Sequence, residues 1–304
     1  MARPVETELA PAWRGTPARL RSLGQALHGL GRFCRRKPLG AVGAIIVLTL
    51  LVLAGFAEWI APYAYDQQIP DARLRPPGRD FPFGTDNVSR DILSRIVYGA
   101  RVSVTVGFLT VLLGNLVATA IGVTSGYFRG RYDIIVQRLV DAWQAFPYLI
   151  IILSLLAVLG PGMLNVILAL SILVAAGASR VIRGATLSVV EHPYIEAARA
   201  MGAGHVRVIV RHVLPNVAAT IVVVSTIGLG GVILAESALS FLGFGIPPPH
   251  PSWGSMLSGS GRTYMYSAPW IAIWPGVAIS LVVFGFNMLG DALRDVLDPR
   301  LRGS

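Results

Sequence analysis

Cysteine is almost missing from this chain. Of its 304 residues only Cys34 is one, so an intrachain disulfide and a Cys-based metal site are both excluded. Lysine is equally scarce. The single Lys37 is followed by Pro38, whereas a P-loop needs Gly-Lys-Ser/Thr, so the chain carries no nucleotide-hydrolysing loop of that kind. The five histidines, at 28, 192, 205, 212 and 250, are scattered and form no H-E-x-x-H. Ser258-Gly259-Ser260-Gly261 lacks the leading Gly of an intramembrane serine protease motif. Gly290-Asp291 lacks the Gly two places earlier of an intramembrane aspartyl protease motif. No catalytic constellation survives. Charge is also sparse: 14% of residues, against about a quarter in a soluble domain.

What fills the chain is apolar. Hydrophobic residues make up 54%, and the mean hydropathy is +0.62, which places the chain in the membrane class. The apolar runs predict an all-α protein with six membrane helices, over about 39–57, 102–124, 139–159, 164–178, 217–244 and 270–289. Pro147 should kink the third. Gly160-Pro161-Gly162 should turn tightly between the third and fourth. Pro247-Pro248-Pro249-His250-Pro251 begins a stiff polar loop.

The formal net charge of +10 could suggest nucleic acid, but the positions of the arginines explain it better. With the N-terminus inside, the cytoplasmic segments hold 19 of the 26 basic residues. The bias predicts N-in, C-in, with no nucleic-acid partner. Residues 1–38 read as a basic cytoplasmic segment and 39–304 as the membrane domain. Leu20, Leu23, Leu27 and Leu30 could place an amphipathic helix on the bilayer surface. The run after residue 38 is too long for a cleaved signal and reads as a signal anchor.

One soluble-looking island interrupts the apolar runs, at 193–216. Pro193 suits the first turn of a helix, and Glu196-Ala197-Ala198-Arg199-Ala200-Met201 continues it. Gly202 and Gly204 should break that helix in a turn. A second helix over His205–Val213 should bury Val206, Ile209, Val210 and Val213 on one face, with Arg207 and Arg211 on another. Pro215 should then start a new membrane helix. The charge count puts this island in the cytoplasm, independently of any motif.

The island resembles the EAA loop of ABC-importer permeases: Glu196-Ala197-Ala198, then Gly202, then Leu214-Pro215. Its Arg211-His212-Val213-Leu214-Pro215-Asn216 ending resembles the peptide-type permeases. Four further stretches resemble the C-type permeases of dipeptide/oligopeptide importers. They are Phe83–Arg101 (with Ser89 where the family has Gly), the segment around Asp141, Glu236–Leu257 and Gly290–Leu301.

The resemblance implies a type I ABC-importer permease fold in a bacterial inner membrane, forming half of a translocation pathway for di- or oligopeptides. It implies a second, B-type permease, two cytosolic ATPase subunits that bind the ATP and Mg²⁺, and an extracytoplasmic solute-binding protein. This chain itself would bind no cofactor. Glu196, Ala197, Ala198, Gly202, Arg207, Arg211, Leu214 and Pro215 would couple it to the ATPases.

Three further residues are read from chemistry. Glu236 lies deep in an apolar helix, where a carboxylate needs a partner or a wet path. With Ser237 and Ser240 it is a candidate for the pathway or gate, the alternative being a buried structural hydrogen-bond partner. Asp141 should pair with Arg138. Phe83–Arg101 should form a flat outer helix from about Ser89 to Tyr98, capped by Asp86 or Ser89. If residue 89 needs positive φ, Ser bears a cost that Gly would not. The same architecture importing glutathione, nickel or another solute is the alternative. An intramembrane hydrolase using Glu236 or Ser258 is the remote one.

Overall fold

The structure is a computed structural model that describes residues 37–297. Most of the basic segment 1–38, its amphipathic helix and the last seven residues lie outside the described residues. In chain order the helices are α1 (Pro38–Gly55), α2 (Ala57–Ile60), α3 (Ile92–Phe128), α4 (Gly130–Gln144), α5 (Tyr148–Leu159), α6 (Met163–Val190), α7 (Pro193–Ala200), α8 (His205–Phe241), α9 (Trp253–Leu257), α10 (Gly259–Thr263) and α11 (Trp270–Leu297). Among the described residues the only β pairing is an isolated bridge between Thr85 and Asp91.

Five of these helices, α1, α3, α6, α8 and α11, are long and apolar enough to cross a membrane. The pair α4 and α5 makes a sixth span only if the two are counted together. Instead of a kink within one helix over 139–159, there is a break with an 83° bend. Pro147 explains it. It cannot donate to the helix ladder, and it pushes Phe146 away from the helical region. Its carbonyl accepts the first bond of α5, from Ile150 N at 3.0 Å.

Three other helices run past their expected ends. The second span begins at Ile92 rather than near Val102, the fourth continues to Val190, and the sixth to Leu297. The expected flat outer helix is simply the first turns of α3. Its cap is Asp91, whose carboxylate accepts from Ser94 N at 2.8 Å and Ser94 Oγ at 2.7 Å. Asp86 is occupied elsewhere: it accepts from Val88 N and Arg90 N, each at 2.9 Å, and from Arg90 Nε at 2.7 Å. That tight turn puts Ser89 at φ 65°, so the site does use the conformation that Gly would hold more cheaply.

Apolar burial drives little association between helices in lipid, where tails are as apolar as Leu; close packing of small residues does more. The core pairing of this fold, α3 on α6, follows that rule. Gly114, Ala118, Gly122 and Gly126 repeat at four-residue spacing along α3. A Cβ at Gly122 would stand 2.6 Å from Ser179 O, and one at Gly126 2.8 Å from Thr186 Cβ. Ala118 is fully buried in the same seam. Two apolar clusters result. The larger surrounds Ile92, Leu170, Ile233, Trp253 and Phe286. The smaller gathers Tyr127, Ile182, Val190, Ile195, Val208, Val213 and Val217 under the island.

Candidate coupling island and buried carboxylate site

The island folds as two short helical pieces around a turn. Pro193 stands in the first turn of α7. Gly202 sits at φ 82° with nothing within 4 Å of where a Cβ would be. The turn therefore demands a left-handed residue and leaves its outer side open. Ile195 and Ala198 are the buried face of α7, while Glu196, Ala197 and Gly202 face outward. Glu196 makes no ion pair among the described residues.

The second piece departs from expectation. No separate helix begins at Pro215; α8 runs continuously from His205 to Phe241 through a π-helical turn at Ile209–Val213. The wider turn relieves the clash that the Pro215 ring would make with a carbonyl four residues back. It also shifts the register. The buried positions become Val208, Val213 and Val217, spaced five and then four apart. Val206 and Val210, expected inside, are instead 76% and 58% exposed, and Met201 beside the turn is 82% exposed. Arg207, Arg211 and Pro215 are exposed, and Leu214 is half-buried.

Polar side chains brace the frame beneath. Arg183 of α6 grips Asp133 of α4 with both Nε, at 2.6 Å, and Nη2. Ser125 of α3 donates to the same carboxylate, and Gln137 donates to Ser125 Oγ at 3.1 Å. Asp133 is only 8% exposed, so this charge is matched where it is dry. Arg129 reaches Leu187 O at 3.1 Å and Glu191 at 3.2 Å. Asp141 meets Arg138 at 3.8 Å, as expected, and also Arg180. Arg180 and Arg183 therefore lie inside α6, rather than beyond its end, because both have partners on α4.

At the other end of α8, Glu236, Ser237 and Ser240 are brought together and buried, with Glu236 fully enclosed. Ser240 Oγ donates to Glu236 Oε1 at 2.6 Å, and Ser237 and Ser252 lie beside the carboxyl. The short helix α9 is pressed onto this turn of α8. A Cβ at Gly254 would stand 2.1 Å from Ser237 O. Ser252 and Ser255 close a capping box at its start. Trp253 donates to Ile96 O at 3.1 Å, tying α9 to α3. Ser258 ends α9. Among the described residues no group of three or more His, Cys, Asp or Glu could hold a metal ion.

Sequence reasoning assigned no contact to Tyr127, Asp133, Arg183, Arg199 or His205. A pairing of Tyr127 with His205 across 78 residues leaves no spacing to read.

Comparison with known proteins defines the class. The family described as "Binding-protein-dependent transport system inner membrane component" matches residues 118–303, and "N-terminal TM domain of oligopeptide transport permease C" matches 31–77. The chain is 41% identical over 268 residues to a dipeptide transport system permease protein of Alkalihalophilus pseudofirmus, covering 88% of each chain. It is 40% identical to a putative peptide transport system permease protein of Brucella suis, covering 89% of this chain and 90% of that one. It is 39% identical to a glutathione transport system permease protein of Escherichia coli, covering 91% of each. In fold it is similar to the MetNI methionine ABC transporter, with a TM-score of 0.54 and 20% identity over 67% of this chain and 96% of that one.

The chain belongs to the dipeptide/oligopeptide family of ABC-transporter permeases. It is a multi-pass inner-membrane permease component of an ABC importer of peptides or related solutes, with the type I importer fold.

Proposed function

We propose that this chain forms half of the pathway of a peptide importer and couples it to cytosolic ATPases through residues 193–216. It would pair with a B-type permease, receive cargo from an extracytoplasmic binding protein and dock two ATPase subunits, which bind the ATP and Mg²⁺. Both termini would lie in the cytoplasm, with residues 1–38 a basic segment and 39–304 the permease domain.

The observation that carries this reading is the apolar tip of the island. Met201 and Val206 are 82% and 76% exposed, yet they stand on a buried base of Ile195, Ala198, Val208 and Val213. Exposed apolar residues at the tip of a braced element suit a groove on a partner. Glu196, Arg207 and Arg211 supply charge at its rim. Ala197 keeps the outer surface of α7 low, and Leu214 and Pro215 set the π-turn. ATP-driven closure would move the island with α6 and α8, to which it is joined in sequence. Glu236, Ser237 and Ser240 would serve the gate from behind, by fixing α9 against α8.

A peptide cargo is the first reading because the dipeptide and peptide relatives match over most of the chain. Glutathione is the second, favoured by the 39% identity to a glutathione permease. The test uses the chain assembled with its partners in proteoliposomes, with binding protein added. ATP hydrolysis is measured with di- to pentapeptides, glutathione or Ni²⁺. Stimulation by peptides is expected. Stimulation by glutathione or Ni²⁺ alone moves the cargo to the second class and leaves the coupling mechanism in place.

A further inference from the structure

Tyr127 lies in the last turn of α3, 5% exposed, and none of the family signatures above contains it. Both pieces of the island converge on it. From α8, His205 Nδ1 lies 3.0 Å from Tyr127 Oη. The two rings meet edge to face with centroids 5.7 Å apart. From α7, the Arg199 guanidinium carbon sits over the Tyr127 ring, 4.8 Å from its centroid. The phenol therefore holds one piece by its hydroxyl and the other by its π-face. The Gly202 turn separates those two pieces.

We infer that Tyr127 is a positioning residue for coupling: it clamps α7 and the start of α8 to the end of α3, so that the island moves with the bundle instead of flexing at Gly202. This rests on the coupling role proposed above and extends it to a residue outside the island. The geometry favours this over a purely packing role. A packing residue needs only the ring's volume, and Leu or Phe would supply it. The clamp needs a hydroxyl on one side and an aromatic face on the other. Across the Gly202 turn the two pieces are otherwise joined by the backbone bond from Ala203 N to Ala198 O at 3.1 Å and by the apolar base they share, Ile195 with Val208 and Val213; Tyr127 adds polar and aromatic contacts that reach both. Tyr127 also sits 12 residues below the Asn115–Ser225 hydrogen bond of 2.6 Å. Helices α3 and α8 are thus pinned together both within the span and at its cytosolic end.

The test uses the assembled complex in proteoliposomes with binding protein and a dipeptide cargo. Tyr127→Phe, Tyr127→Leu, Arg199→Ala and His205→Ala are compared by cargo-stimulated ATP hydrolysis, ATP consumed per peptide imported, and amide hydrogen exchange over 193–213. Tyr127→Phe keeps the face and loses the hydroxyl, so stimulation should fall about fivefold. Tyr127→Leu should lose stimulation about tenfold or more and raise ATP consumed per peptide. Exchange over 193–213 should rise in both, with little change over 92–115. Arg199→Ala and His205→Ala, at exposed positions, keep the clamp testable if Tyr127→Leu fails to assemble, and each should behave as Tyr127→Phe does. Wild-type stimulation, stoichiometry and exchange in Tyr127→Leu, or in both surface variants, overturn the clamp. Raised exchange in the variants of a complex that no cargo stimulates supports the clamp and counts against the proposed function.

Discussion

The two ends of α8 are built from similar materials and put to opposite uses. At the 236–257 end, a glycine, serines and a carboxylate are turned inward, while the prolines at 247–249 stay exposed. Glu236 and Ser252 are fully buried, and Gly254 touches the backbone of Ser237. At the 193–216 end, a glycine, two prolines, arginines and a carboxylate are turned outward, and the buried residues are plain aliphatics, while Arg199 and His205 reach Tyr127. The first end stores its recognisable residues in the fold, so changing them should cost stability. The second displays them, so changing them should cost communication with a partner and leave the fold standing. A sequence signature alone does not separate these two uses; burial does.

The largest effect that would sharpen this contrast is expected at Gly254. An added Cβ there meets backbone, which cannot swing aside. Gly254→Ala should destabilise the chain by about 3 kcal/mol and sharply reduce the amount of folded protein recovered from membranes, read by thermal aggregation in detergent. Normal recovery would mean that α9 is not held against α8 as described. Next is the Asp133–Arg183 brace. Asp133→Asn leaves Arg183 facing a neutral amide in a half-buried site, and a loss of about 2 kcal/mol is expected. Asp133→Arg with Arg183→Asp should recover part of that loss, and a swap no better than either single change would break the pairing. The smallest effect is at the rim. Glu191 is 70% exposed at its side chain and its partner Arg129 42%. Glu191→Ala should therefore change stability by under ~0.5 kcal/mol, within the error of a denaturation midpoint. A shift as large as that of Asp133→Asn would erase the distinction between buried brace and exposed rim.

Much of this was legible in the chain. Pro193 and Gly202 announced a helix start and a left-handed turn because each fixes or frees φ by its own covalent structure. Glu236 announced burial with a partner because a lone carboxylate cannot stay in hydrocarbon unaided. The helix ends were misplaced for one shared reason. Charges at 129, 133, 180 and 183 look like span-ending charge, but each is neutralised across helices, Asp133 by Arg183, Arg129 by Glu191 and Arg180 by Asp141, and those partners are 39 to 62 residues apart in sequence. The π-turn escaped notice because its effect, a one-residue register shift, shows only when the buried face on either side is known. Tyr127 escaped because an aromatic at a helix end is ordinary until its two partners are seen.

The account rests on the Gly202 turn being a coupling element rather than a loop, and one variant tests that most directly. At Gly202 an added Cβ meets nothing within 4 Å, so Gly202→Asp strains only the exposed turn and the protein should still insert and assemble. The added side chain and the altered turn would face the proposed partner. ATP hydrolysis by the assembled complex, measured with and without binding protein and cargo, should lose its stimulation. Stimulation equal to that of the wild type would contradict the coupling role.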